Sequence, residues 1–374
     1  MREQPLKEVT QLIHAIKIGL VEGSYSITNK TLDIFKYIIM SKSWQSADAL
    51  MQIVRAQSRI MQAALPQETV TSNIARRILK LTREEFDLLQ AKVQHFADDS
   101  QASLSLHKLV TQTSENSVSV DYSLPQQGLR EALLDHLQEV ETELETSSEN
   151  ISVQAEEHIH SSEIILTLGH SRSVENFLKR AIKKRQFLTI IVAECAPACR
   201  GHNLAATLAN EKNVEIIVIP DAAIFAMMSR VNKVIIGTHS VLANGGLRAA
   251  CGAYTVALAA KHYSVPVIVL APMYKLSPLH LCEQDAFNMV GCAEDVIAYD
   301  SLPARDAKVY SPKFDYVPPE LVTLFISNTY VYIFILLLTS KQILTFLMFN
   351  SGGHAPSYVY RLLTELYHPE DLEL

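Results

Sequence analysis

A cysteine framework is missing from this chain. The five cysteines, at 195, 199, 251, 282 and 292, are odd in number and follow no pairing pattern. Such usage suits a reducing compartment. Cys195-x-x-x-Cys199 is not a CxxC, and no second cysteine pair lies nearby, so no metal and no other cofactor is expected. A basic excess is absent too: 33 Lys and Arg face 40 Asp and Glu, for a formal charge of −7. That balance argues against a nucleic-acid surface as the main business, while leaving room for docking to a basic or phosphorylated protein. The opening MREQPLKEVTQLIHAIKIGLVEG has neither the apolar core nor the cleavage site of a secretory leader, and the cytosol is the expected location. What is present is globular in composition, with 48% apolar and 20% charged residues. A length of 374 residues favours two domains.

Residues 1 to about 110 read as helical. Leu6, Val9, Leu12, Ile13 and Ile16 form one apolar stripe, and Thr31–Ile39 and Ala47–Met61 carry two more. Thr69 is placed to cap a helix running through Ile74, Ile78, Leu81 and Phe86. Asp98–Leu124, rich in Ser, Gln, Asn and Asp, reads as a loop or linker. A long helix follows, with Leu129, Leu133, Leu137, Val140 and Leu144 stepping by four and three, a stripe that suits packing within the chain.

From Glu163 the rhythm alternates. Ile164–Leu168, Thr189–Ala193, Glu215–Ile219, Val234–Ile236 and Val267–Leu270 are strand candidates, with Val296–Tyr299 a weaker sixth. Helical patterns fill Val174–Lys184, Leu204–Glu211, Ala222–Val231 and Leu247–His262, the last with Leu247, Cys251, Tyr254 and Leu258 on one side. Pro318-Pro319 fits the first turn of a further helix over Glu320–Phe325. The expected fold class is α/β: a Rossmann-like doubly wound parallel sheet domain preceded by an all-α N-terminal domain. The expected division is 1–124 for the helical domain with its polar linker, 125–160 for a connecting helix, and 161–374 for the α/β domain.

Ligands of such sheets bind at the C-terminal strand ends. Here those ends are Leu168-Gly169-His170-Ser171, Glu194-Cys195-Ala196-Pro197, Pro220-Asp221 and Gly237-Thr238-His239. Cys195 near His170 would make a nucleophile and base, but a half-buried loop cysteine and a turn histidine is the plainer reading. His158-x-His160 has no third ligand at usable spacing. Lys179-Arg180 with Lys183-Lys184-Arg185 is a basic helix end of the kind the helix dipole favours.

The strings SRVNKVIIGTHSVLANGGLRA (Ser229–Ala249), LAAKHYSVPVIVLAPMYKLSP (Leu258–Pro278) and FDYVPPELVTLFISN (Phe314–Asn328) resemble the regulatory subunits of eukaryotic translation initiation factor two B, and their relatives the sugar-phosphate isomerases. Those isomerases act on methylthioribose phosphate or ribose bisphosphate. The closing YRLLTELYHPEDL (Tyr360–Leu372) is similar to the beta branch of the family, in preference to the alpha and delta branches. The resemblance implies a non-catalytic regulatory subunit of the complex that exchanges GDP for GTP on initiation factor two. It implies as partners the alpha, gamma, delta and epsilon subunits of that complex, with delta the nearest paralogue. The alpha subunit of initiation factor two would be contacted, and its phosphorylation sensed. Neither a nucleic acid nor a membrane is implied as a partner.

Set beside the isomerases, the resemblance also implies lost chemistry. Their Thr-His-Cys-Asn-Ser string matches Thr167-Leu168-Gly169-His170-Ser171, with glycine at the cysteine position. Gly-Ala-Asp-Arg-Ile matches Gly237-Thr238-His239-Ser240-Val241, with histidine at the aspartate position. Asn-Gly-Asp becomes Asn244-Gly245-Gly246, the following Asn-Lys becomes Ala249-Ala250, and Glu-Thr-Arg-Pro becomes Glu194-Cys195-Ala196-Pro197, which drops a phosphate-clamping arginine. Gly169 and Ala250 cannot move a proton, whereas isomerisation needs an acid–base pair. Gly169, His170, Ser171, Arg172, Glu194, Cys195, His239, Asn244, Gly245 and Arg248 are therefore candidates for a remnant pocket or a subunit interface. An aldose–ketose isomerase with relocated groups is the alternative, and a stand-alone metabolite-binding module is a second.

One block falls outside the resemblance. Thr329–Asn350, TYVYIFILLLTSKQILTFLMFN, is strongly apolar with Lys341 as its sole charge. Its length approaches that of a bilayer crossing. Of a membrane anchor, a surface insertion and a translated intron, the third is preferred, because the flanking text joins smoothly when the block is removed.

Overall fold

Four helices open the chain: α1 (Lys7–Lys17), α2 (Ser24–Met40), α3 (Ala47–Ala64) and α4 (Thr69–Asp98). The structure is a computed structural model that describes residues 5–41, 44–98, 121–126, 128–280, 288, 290–300, 307–328, 331–335, 347–351 and 353–373. Most of the polar stretch 98–124 lies outside these residues. The Ser46 side chain caps α3 by accepting from the Ala49 N–H, the ordinary remedy for an orphan amide at a helix start. Thr69, by contrast, is the first helical residue of α4 and makes no cap. Further on come α5 (Leu129–Val153) and α6 (Ala155–His158). The stripe Leu129, Leu133, Leu137, Val140 and Leu144 is buried throughout, as packing within the chain requires.

The chain divides into two compact units, Met1–Glu143 with Thr364–Leu374, and Leu144–Leu363. In the first, one aspartate organises three arginines through its carboxylate and its backbone carbonyl. Arg76 and Arg83 are seven residues apart and share a face of α4. The Asp371 side chain, fully buried, accepts from Arg55 Nη2 at 2.7 Å and from Arg83 Nε at 3.2 Å. Arg76, 1% exposed, donates to the Asp371 carbonyl at 3.2 Å. Burial pulls the Arg76 guanidinium below its ordinary value. Burial acts on Arg83 in the same sense, but hydrogen bonding and charge from Asp371 outweigh it and leave that group raised.

The second unit holds strands β1 (Ile164–Leu168), β2 (Leu188–Ala193), β3 (Val214–Ile219), β4 (Lys233–Gly237), β5 (Ser240–Val241), β6 (Leu247–Ala250), β7 (Val267–Leu270), β8 (Phe314–Val317) and β9 (Leu324–Ile326). Between them run α7 (Arg172–Lys184), α8 (Arg200–Leu208), α9 (Ile224–Met228) and α10 (Ala253–His262), and α11 (Val359–Leu366) follows. Six strands form one sheet in the order β3-β2-β1-β4-β7-β9, every pair parallel. β7 is buried along its length, as a strand covered on both faces must be. β3, at the edge, leaves Glu215 and Val218 exposed. Ile165, Ile190, Val192, Ile235 and Ile268 pack with Val174, Phe177, Leu178 and Ala181 of α7 in one continuous core.

The all-α start and the parallel sheet agree with the sequence reading, but three elements differ. Leu247–Ala250 is not the first turn of a helix. Gly245 (φ +80°) closes a turn in which the Leu242 N–H donates to the Gly246 carbonyl at 2.8 Å. Strand β6 then returns antiparallel along β5 and pairs with β8 in a separate three-stranded sheet. Helix α10 starts only after Gly252 (φ +98°). It buries Ala253, Val256, Ala257 and Ala260, while Tyr254 and Leu258 stand 41% and 43% exposed. Glu320–Phe325 is a 3₁₀ turn over Pro319–Leu321 followed by β9, the sixth strand of the parallel sheet. Val296–Tyr299 forms no strand; it follows a 3₁₀ turn at Ala293–Asp295.

In the apolar block, β10 (Val331–Ile335) and β11 (Leu347–Ser351) pair antiparallel from Val331↔Ser351 to Ile335↔Leu347. Among the described residues no helix is long and apolar enough to cross a membrane.

Candidate functional site

The order of the parallel strands reverses between β1 and β4. In doubly wound sheets, the crevice outside the carboxyl ends at that point is where ligands bind. The two strand ends are packed closely here. A Cβ on Gly237, which ends β4, would lie 2.5 Å from Ser171 Oγ in the loop after β1. Gly169 (φ +61°) donates its N–H to the Ala193 carbonyl at 3.1 Å, and a side chain there would meet the Cys195 Cβ at 3.2 Å and its Sγ at 3.3 Å.

Cys195 sits on a loop held by Asp221 from the end of β3. The carboxylate accepts from the Cys195 N–H at 2.9 Å and the Ala196 N–H at 2.7 Å. The thiol faces the Cys251 carbonyl at 3.6 Å. Burial, with the Asp221 charge next, pushes that thiol up to about 11. Cys251 is likewise pushed up to about 11, by burial and then by Asp315. Asp315 in turn accepts from the Gly252 N–H at 2.7 Å and the Tyr254 N–H at 3.1 Å, capping the start of α10. His170 is engaged elsewhere: its Nε2 lies 2.9 Å from Glu175 Oε2, and Glu175 also accepts from Lys179 at 2.7 Å. The structure thus gives Cys195 and His170 separate partners.

The sequence candidates fall into two groups. Gly169, His170, Ser171, Arg172, Glu194 and Cys195 lie at the ends of β1 and β2. His239, Asn244, Gly245 and Arg248 belong to the three-stranded sheet. There the His239 N–H donates to the Arg248 carbonyl at 2.9 Å, and the His239 ring rests 4.7 Å from that of Phe314. The Asn244 amide donates to the Tyr316 hydroxyl at 2.9 Å, and Gly245 approaches the Pro356 carbonyl so closely that a Cβ would lie 2.7 Å from it. Arg248 is buried and pairs in register with Tyr316. Asp221, already marked as a strand end, clamps the loop, while Cys251 and Asp315, which complete the cluster, were not among the candidates.

The thiols yield a test. In the folded chain Cys251 keeps its proton up to about 11, against an ordinary value of 9.0. Alkylation of Cys251 is therefore expected to be slow at pH 8 and to accelerate as pH approaches 11. The unfolded chain releases this proton first as pH rises, so the folded state holds more protons in that window. The contribution to stability is complete below about pH 9 and is lost on the way to 11. Mass spectrometry after timed alkylation checks this; a rate at pH 8 equal to that of the urea-unfolded chain contradicts it.

These features define a Rossmann-like α/β protein whose strand-end loops are clamped by aspartates. The Initiation factor 2 subunit family matches residues 20–331, and the chain belongs to that family. The matched region stops inside the apolar block. The chain is 34% identical to translation initiation factor eIF2B subunit beta of Dictyostelium discoideum, over 96% of this chain and 94% of that protein. It is 27% identical to ribose 1,5-bisphosphate isomerase of Pyrococcus furiosus, over 54% of this chain and 63% of that enzyme. Its fold is similar to a chain of the tetrameric eIF2B-beta2-delta2 complex from C. thermophilum, with TM-score 0.66 at 24% identity, covering 96% of this chain and 94% of that one.

Proposed function

We propose that the chain is a non-catalytic regulatory subunit of the complex that exchanges GDP for GTP on translation initiation factor two. In this reading it pairs with a delta-type paralogue, and the assembly contacts the alpha subunit of initiation factor two and senses its phosphorylation. The observation that carries the reading is what stands at the two isomerase positions. Gly169 offers no side chain and is packed against a thiol held protonated to about 11. His239 lies on Phe314 in the other sheet. Proton transfer between adjacent carbons needs a paired acid and base in one place.

Assembly is supported by a surface that a monomer has little reason to keep. Tyr254, Leu258 and His262 succeed one another at four-residue steps along α10, so they share a face. Phe225 of α9, 50% exposed, lies tilted against the end of that row, with its ring 5.2 Å from His262 and 5.3 Å from the neighbouring Tyr263. Exposed contiguous apolar surface of this kind marks protein–protein contact.

Reconstituting the exchange complex with and without this chain tests the proposal. GDP release from initiation factor two should persist in both preparations, and inhibition by the phosphorylated alpha subunit should disappear when the chain is omitted. Equal inhibition in both would overturn the regulatory role. The isomerase reading is favoured by the Pyrococcus furiosus similarity. It predicts turnover of ribose 1,5-bisphosphate that falls in a His239→Ala variant, whereas the regulatory reading predicts none.

A further inference from the structure

The loop between β2 and α8 gathers three different metal-binding groups. The Glu194 carboxylate, the Cys199 thiol and the His202 imidazole have their ligand atoms all within 4.8 Å of one another. Glu194 Oε2 is 3.7 Å from His202 Nε2. Ligands on a zinc tetrahedron, bound at about 2.0–2.3 Å, stand roughly 3.3–3.8 Å apart. The Glu194–His202 separation is close to that span, and the remaining pairs, all within 4.8 Å, need only side-chain adjustment to reach it.

Local structure explains the convergence. Cys199 is the residue immediately before α8, and His202 is the third residue of its first turn, so the Cys-x-x-His spacing brings both onto one side of the helix start. Glu194 approaches from the end of β2. The backbone carrying these groups is pinned. The Gly201 N–H donates to the Glu194 carbonyl and the Cys199 N–H to the Cys195 carbonyl, each at 3.0 Å. Asp221 fixes the two amides after Glu194. Gly201 lies so close to β2 that a Cβ would sit 2.4 Å from the Ala193 carbonyl oxygen. Cys199 is held at φ +47°, a left-handed conformation that a non-glycine residue adopts only under constraint. Donors on a pre-set backbone are what a metal site needs.

We propose that Glu194, Cys199 and His202 form a zinc site whose fourth position is taken by water or by a partner's side chain. Thiolate with imidazole selects zinc over calcium or magnesium, which require oxygen donors. His202 is 56% exposed at its side chain, so the ion has a way in. Cys195 is not the fourth ligand, because its thiol is directed to the Cys251 carbonyl. Bound there, the ion would tie the loop after β2 to the first turn of α8, stiffening one wall of the crevice.

The test uses the full chain, stripped with a chelator and titrated with cobalt(II) as the probe. The expected result is one equivalent bound, with visible bands of tetrahedral intensity and a near-ultraviolet thiolate-to-cobalt band, all removed by one equivalent of zinc. Cys199→Ser should abolish the charge-transfer band, and Cys195→Ser should keep it. His202→Gln and Glu194→Gln lie on exposed or half-exposed side chains and should fold. Each should weaken binding by more than the roughly 10- to 100-fold typical of losing an outer-shell partner. A chain that binds no cobalt, or a thiolate band that survives in Cys199→Ser, would overturn the proposal. Neither outcome touches the regulatory reading, which rests on other residues.

Discussion

Asp371→Ala is expected to lower the stability of the unit that contains it by about 3–5 kcal/mol, the cost of stripping one partner from a buried ion pair. The figure is large because the loss is not confined to one contact. The Asp371 side chain is fully buried and answers Arg55 and Arg83 together, while its carbonyl answers Arg76. Arg83 has 6% of its side chain exposed and cannot turn to water, and the carboxylate left to it is that of the exposed Glu370 at 2.8 Å. Removing the Asp371 carboxylate leaves cationic charge in a low-dielectric setting with the Arg55 and Arg83 hydrogen bonds to it unmet, while Arg76 keeps its bond to the backbone carbonyl and loses only the nearby negative charge. Asp371→Asn should recover only part of the loss, since an amide keeps an acceptor but not the charge. Urea midpoints for the two variants against the parent chain measure this. A change under about 1 kcal/mol would mean that the arginines find other partners and that the cluster contributes little.

The second large effect concerns assembly. Tyr254→Asp combined with Leu258→Asp is expected to weaken binding to a delta-type partner by at least about 30-fold, the consequence of losing one interface hot spot of roughly 2 kcal/mol. The fold should survive, because both side chains are largely outside the core and surface changes of this kind stay within about 0.5 kcal/mol. Titration of the labelled partner with parent and double variant reads the affinity, and thermal unfolding of each chain alone controls for the fold. Unchanged affinity would show that the α10 row serves something other than this contact.

Much of the architecture was legible because its signals are local. Buried runs such as Ile164–Leu168 and Val267–Leu270 mark parallel strands, and the leucine steps from Leu129 to Leu144 mark a helix. Misreadings arose where turn chemistry competed with periodicity. Asn244-Gly245 is a hairpin signal, yet the apolar spacing of Leu247, Cys251, Tyr254 and Leu258 suggested a helix. The glycine turn decides the matter, and the helix is delayed to Ala253 with a different face buried. The two prolines suggest a helix over Glu320–Phe325, whose last two residues instead open β9. Its place beside β7 is set by pairing with residues more than fifty positions earlier, which no local window contains. The carboxylates that organise the loops have the same character. Asp221 acts on Cys195 and Asp315 on Gly252, partners that meet only once the strands are laid side by side. Glu194 is a candidate for the strand-end pocket and Cys199 is set aside because it makes no CxxC, but His202 comes beside them only when the end of β2 meets the first turn of α8. Asp371, within the closing Tyr360–Leu372 string, is buried against arginines of α3 and α4 that lie some three hundred positions earlier.

Co-expression of the tagged chain with a delta-type paralogue, followed by light-scattering mass determination of the purified species, is the most direct measurement. A single species containing both chains is predicted, in keeping with a scaffold retained for docking. Recovery of this chain alone, as monomer or homodimer, with the paralogue in a separate peak, would contradict the account.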